Sequence, residues 1–144
     1  MEADAVALGV GESRRVNVVA REKWNPTGIL VAPGQRYSFV ATGGWSDGGI
    51  PCGPGGFTVG QTHGIAHWIV KAGAPFLRLK NGRYFCVVGS VGHDESACFL
   101  IGAGLPTWST TNGGSGHLEC FANDVPIAYW NNKGSVQLAI TRLA

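Results

Sequence analysis

From Ser135 to Arg142 apolar and polar residues alternate, with Val136, Leu138 and Ile140 on one face and Gln137 and Thr141 on the other. A period of two is that of a strand with one buried face, so this segment demands a sheet and a second layer to cover it. Arg14 to Ala20 repeats the pattern with Val16 and Val18, and Tyr37 to Ala41 reads as another strand. Further strands are expected at Ile29 to Val31, Ile65 to Val70, Phe76 to Lys80, Tyr84 to Val88, Cys98 to Ile101 and His117 to Ala122, and no segment carries a convincing helical period. Turns separate them. Trp24 to Gly28 is one, Ala32-Pro33-Gly34-Gln35 suits a type II turn with Gly34 at positive φ, and Asn81-Gly82 signals a two-residue type I′ hairpin. Gly43 to Gly60, nearly half glycine with Pro51 and Pro54, is expected to be a long irregular excursion of the kind that often carries function. About nine short strands at this spacing predict an all-β sandwich.

The 144 residues fit one domain, read as a flexible lead-in over 1–12 and a β-sandwich over 13–144. A net charge of +2, with no cluster of Lys or Arg, excludes a nucleic-acid or membrane patch. Met1-Glu2-Ala3-Asp4 is acidic where a secretory signal is basic, so the expectation is a soluble, cytoplasmic chain, with release by a non-classical route as the alternative. Cys52, Cys86, Cys98 and Cys120 contain no C-x-x-C pair, and Cys86 and Cys120 read as small buried hydrophobes. Trp24 and Trp45 are expected in the core, with Trp68 and Trp108.

The chemistry gathers in Asn123 to Ser135. Asp124 is followed seven and eight residues later by Asn131 and Asn132, more polar oxygens than a tight hairpin uses. A hard cation such as Ca²⁺ would account for the surplus, since it takes about six to eight oxygens from carboxylates, amides, carbonyls and water. An ordinary surface loop, in which Pro126 fixes a bend while Asn132 and Gly134 tolerate positive φ, is slightly preferred on the residues alone.

Asn123-Asp124-Val125-Pro126, Tyr129, Asn131-Asn132 and Gly134-Ser135, followed by an alternating last strand, resemble the calcium site of the PA-IL-like, calcium-dependent galactose-binding lectins of bacteria. Pro33-Gly34 and Ala41-Thr42-Gly43-Gly44-Trp45 extend the resemblance upstream. It implies a jelly-roll-like (galactose-binding-domain-like) sandwich, and a Ca²⁺ held by Asp124, Asn131, Asn132 and the backbone carbonyls of Ala128 and Gly48. Asp47, beside Gly48, departs from the family and could add a second carboxylate. The resemblance further implies that two vicinal galactose hydroxyls complete the ion's shell, with Asp124 and Asn131 also hydrogen-bonding them and Ala128 adjoining them. Gln61 and His63 stand near the family's contacts to the exocyclic hydroxyl, in reversed order. Trp130 is read evenly as a cover for the sugar or as core filling beneath the loop.

One or two carboxylates among neutral donors imply weak calcium binding, roughly 10⁻⁴ to 10⁻³ M. A homo-oligomer would add avidity towards galactose-containing glycans. Catalysis is not expected: His93-Asp94-Glu95 with Cys98 reads as a solvated turn, no nucleophile motif appears, and only Glu119 among the acids has an apolar setting. The competing class is a non-catalytic structural or interaction module with a calcium-stabilised loop, or the binding module of a carbohydrate-active enzyme.

Overall fold

The structure is a computed structural model and describes residues 5–110 and 115–144. Ten strands and one α-helix follow in order: β1 Ser13–Val19, β2 Asn25–Val31, β3 Tyr37–Asp47, β4 Ile50–Cys52, β5 Gly55–Phe57, α1 Gly64–Gly73, β6 Tyr84–Val91, β7 Cys98–Leu100, β8 Gly104–Trp108, β9 Gly116–Ala122 and β10 Asn132–Arg142. They form two antiparallel sheets. One runs β1-β10-β3-β4 with β8 also on β3, and the other runs β2-β9-β6-β5 with β7 also on β6. Their facing side chains make one core, so the all-β sandwich expected from the alternating strands is the architecture observed.

The longest ladder is β3 against β10, in unbroken register from Arg142↔Tyr37 to Asn132↔Asp47. Val136, Leu138 and Ile140 are fully buried from one side of it, and Phe39, Ala41 and Trp45 from the other. β6 has no exposed residue along its length, as expected of a strand covered on both faces. Leu8 is buried, and Val6 forms a parallel bridge to Ile29.

Several expectations are corrected. Ile65 to Val70 is not a strand but lies inside α1, where Val70 is the buried residue while Ile65, Trp68 and Ile69 face outward. Trp68 is therefore not a core residue. Phe76 to Lys80 is not a strand either, and Asn81-Gly82 closes no hairpin. The main-chain groups of Leu79 are bonded to the Asn123 side chain instead of to a neighbouring strand. The Trp24 to Gly28 turn is the start of β2, irregular between Pro26 and Ile29, and Trp24 is only partly buried. The Gly43 to Gly60 excursion is more regular than expected, since β3 continues to Asp47 and turns back into β4. Gly34 takes the positive φ its turn requires, at 87°, whereas Asn132 does not and opens β10 in extended conformation. The four cysteines are free, with Cys86 and Cys120 buried as expected.

Truncating Leu138 to alanine should cost about 3 kcal/mol, by lost burial plus an uncollapsed cavity, whereas Gln137→Ala should change stability by under about 0.5 kcal/mol. Urea unfolding of the two variants checks this, and similar losses for both would contradict the assigned facing of β10.

Candidate functional site

At one end of the sandwich the β3–β4 turn, the β9–β10 connection and α1 enclose a cavity of about 510 Å³. Asp47, Gly48, Asp124, Ala128 and Asn131 line it together with apolar surface from Ile50, Ile69, Val70 and Ile127. Gly48 sits at the β3–β4 turn with φ 58°, a left-handed conformation that a side chain resists, and a Cβ there would lie 3.2 Å from Asn131 Nδ2. The Gly48 amide also donates to the Asn131 carbonyl at 3.2 Å, tying the two loops at the cavity edge.

Polar anchoring, more than regular structure, shapes the β9–β10 connection. Asn123 is fully buried: its Oδ1 accepts from the Leu79 amide at 2.9 Å, and its Nδ2 donates to the carbonyls of Leu79 and Arg83. The Arg78 amide donates to the Asp124 carbonyl, and Arg78 Nη1 donates to the Tyr129 hydroxyl, which in turn donates to the Ala122 carbonyl. The Arg78 guanidinium is sandwiched over Phe121, 3.4 Å from the ring centre, and its Nε pairs with Glu95. Val125 and Ala128 close a turn through a 2.9 Å backbone bond. This connection is thus held at both ends by the segment that follows α1.

Three oxygens in this region have no hydrogen-bond partner: Asp124 Oδ2, Asn131 Oδ1 and Asn132 Oδ1. Asp124 and Asn132 are 1% and 2% exposed, so these are acceptors withdrawn from water without a donor in exchange. Asp124 Oδ1 accepts from the Val125 amide, and Asn132 Nδ2 donates to the Ala20 carbonyl, which fixes both side chains. Asn132 lies outside the cavity lining but is the register partner of Asp47. Burial pushes the Asp124 carboxyl above its usual range, opposed by the Val125 amide and the Asn132 side chain. Asp47 is pushed up to about 7, first by burial and then by the charge of Asp124. Tyr84 is likewise raised to about 12 by burial, with the charges of Asp124 and Asp47 adding to it. An acceptor-only set of carboxylate and amide oxygens suits a hard cation, whose charge would offset these costs.

The other expected contacts are not gathered here. Gln61 accepts from the Thr58 amide and His63 stands at the N-cap position of α1 without a side-chain capping bond, both exposed and neither in the cavity lining. Trp130 is 71% exposed, so it does not fill the core, and it too lies outside the lining. Sequence reading misses Ile50, Ile69 and Ile127, although Ile127 is 85% exposed. Its one signal is an isoleucine placed between Pro126 and Ala128, where a solvated loop would carry a polar residue. Elsewhere, His93 Nδ1 lies 2.7 Å from Glu119 Oε1 and its ring stacks on Trp24, so this turn is built around a buried carboxylate. Among the described residues no three His, Cys, Asp or Glu side chains converge.

No family model matches this chain, and no curated protein matches its sequence. Among solved structures it is similar to the EclA N-terminal domain, described as a PllA-like lectin, with a TM-score of 0.61 at 18% identity over 90% of this chain and 94% of that one. That likeness shows a shared fold. A second match, to the IMPa metallopeptidase in complex with T-antigen, has a TM-score of 0.33 and 12% identity over 99% of this chain and 13% of that one, and carries no argument.

Two outcomes test the site's construction. Asn123→Ala leaves the Leu79 amide without a partner and removes one of two donors from each of the Leu79 and Arg83 carbonyls, and should cost about 2 kcal/mol in urea unfolding; a loss under about 0.5 kcal/mol would contradict the anchoring role. The second outcome concerns pH. In metal-free protein folded Asp47 keeps its proton up to about pH 7, while the unfolded chain releases it near 3.8. The folded state therefore binds more protons across that window, and its stability should fall as pH rises from about 4 to 7. Melting in EDTA at pH 5 and pH 8 checks the sign, and a higher melting temperature at pH 8 would contradict it.

Proposed function

We propose that this chain is a non-catalytic carbohydrate-binding lectin that takes galactose or a galactoside through a bridging calcium ion. The observation supporting it is the set of three donorless oxygens, on Asp124, Asn131 and Asn132, at the end of a lectin-like sandwich. Side-chain oxygens of these residues, with the carbonyls of Ala128 and Gly48, would hold the ion. Calcium bound there would supply Lewis acidity towards two vicinal hydroxyls. The chain's own residues do the rest. Asp124 accepts hydrogen bonds from the polarised hydroxyls, and these charge-assisted bonds are short and strong. Asn131, which lines the same cavity, offers its amide to one of them. Ile50, Ile69 and Ile127 supply apolar surface for the C–H face of the sugar ring, the usual division of labour in a small-molecule site.

Partners on this reading are galactose-containing glycans, and assembly into a homo-oligomer would multiply weak single sites. Among the described residues no helix is long and apolar enough to cross a membrane. The structural alternative, in which calcium only stiffens the loop, differs in one respect: it gives the open cavity no ligand. A second reading comes from Asp47 and Asp124, two carboxylates lining one cavity, both raised by burial and Asp47 to about 7, since glycoside hydrolysis uses a pair of carboxyl groups of which one stays protonated. The amide oxygens beside them favour cation binding over proton transfer, and a hydrolase would release nitrophenol from a nitrophenyl galactoside.

Calorimetric titration of D-galactose in millimolar calcium should give binding heat that disappears in excess EDTA, is absent with D-glucose, and is lost in Asp124→Asn and Asn131→Ala. Galactose binding that survives EDTA would contradict the bridging ion. Calcium that raises the melting temperature with no sugar heat would favour the structural module.

A further inference from the structure

We infer that Asp47 is a second anionic ligand of the same cation, held opposite Asn132 by the β3–β10 ladder. This inference rests on the calcium reading above. Asp47 and Asn132 are direct partners in that ladder. Residues directly opposite in an antiparallel pair project to the same face, with Cβ atoms about 5 Å apart. That face is the inner one, because Trp45, two residues before Asp47, is 4% exposed and Val136, four residues after Asn132, is fully buried. Asp47 therefore points into the sandwich end, beside the amide whose Oδ1 has no donor, and it lines the cavity with Asp124 and Asn131.

Among the described residues no basic side chain pairs with it. Arg78 pairs with Glu95 and His93 contacts Glu119, and neither contact involves Asp47 or Asp124. Two carboxylates facing one cavity repel each other unless something positive lies between them. The nine-tenths-buried Asp124 and Asn132, each with an unpartnered oxygen, point to what that is. Two carboxylates balance the charge of a divalent ion completely, and charge count is a main determinant of how tightly oxygen sites hold calcium. With both carboxylates the site would take the ion without sugar, and the sugar would add to a loaded site.

The test is calorimetric titration of CaCl₂, without sugar, into metal-free wild type, Asp47→Asn, Asp47→Ser and Asp124→Asn at pH 8. Both Asp47 variants should bind calcium at least tenfold more weakly than wild type, and their galactose binding should return when calcium is raised by the same factor. Asp47→Asn is nearly isosteric and removes a repulsion, so its metal-free form should melt no lower than wild type. Undiminished calcium affinity in both Asp47 variants, with a loss in Asp124→Asn, would overturn this inference and leave the lectin reading standing. Absence of calcium binding by wild type, with and without galactose, would overturn both.

Discussion

The ladder between β3 and β10 is the constraint on which both fold and site depend. Its register runs without a break from Arg142↔Tyr37 to Asn132↔Asp47. A slip of one residue would turn Val136, Leu138 and Ile140 out to solvent, so the register is fixed by the burial of those side chains. The same register sets what stands at its far end. Apolar partners give way there to Asp47 opposite Asn132, and the sheet that closes the core continues straight to the cavity.

What the ladder does not reach is held by side chains. The connection from Asn123 to Asn131 has no strand of its own until a single 3₁₀ turn at Tyr129–Asn131. Asn123 substitutes for the missing neighbour by bonding the main chain of Leu79 and Arg83, and Arg78 reaches both the Asp124 carbonyl and the Tyr129 hydroxyl. Buried polar groups that are fully satisfied rigidify a loop, whereas unsatisfied ones are costly. Both kinds occur within ten residues. Asn123 is satisfied within the protein, while Asp124, Asn131 and Asn132 each keep an oxygen without a donor. The contrast separates the residues that build the connection from those left free to face a ligand.

The sandwich was legible in the sequence wherever one face is buried, because period two survives in β1, β3 and β10. It was illegible in α1, where Val70 is the residue buried and Ile65, Trp68 and Ile69 are exposed. The inward stripe of the helix, Ala66, His67, Val70 and Gly73, is made mostly of small or polar residues while its large apolar ones face out, so the β-branched and aromatic residues imitate a strand. Asn81-Gly82 misled for another reason. A hairpin signal is local, but the hydrogen bonds it presumes at Leu79 are taken by Asn123, 44 residues away. For the site, spacing brought out Asp124, Asn131 and Asn132, and the resemblance added Ala128 and Gly48. The structure assembles all but Asn132 around one cavity and sets Asn132 against Asp47. Gln61, His63 and Trp130 stand apart from that cavity, since their positions depend on α1 and on a loop that no short-range pattern specifies. The isoleucine walls depend on the same helix.

The most direct test is a crystal structure grown with calcium and galactose, with the ion placed by its anomalous scattering. The account predicts one ion within about 2.3 to 2.6 Å of oxygens from Asp124, Asn131 and Asn132, with two adjacent sugar hydroxyls completing its shell. Galactose seated in this cavity with no ion between it and Asp124, or an ion bound elsewhere on the sandwich, would contradict it.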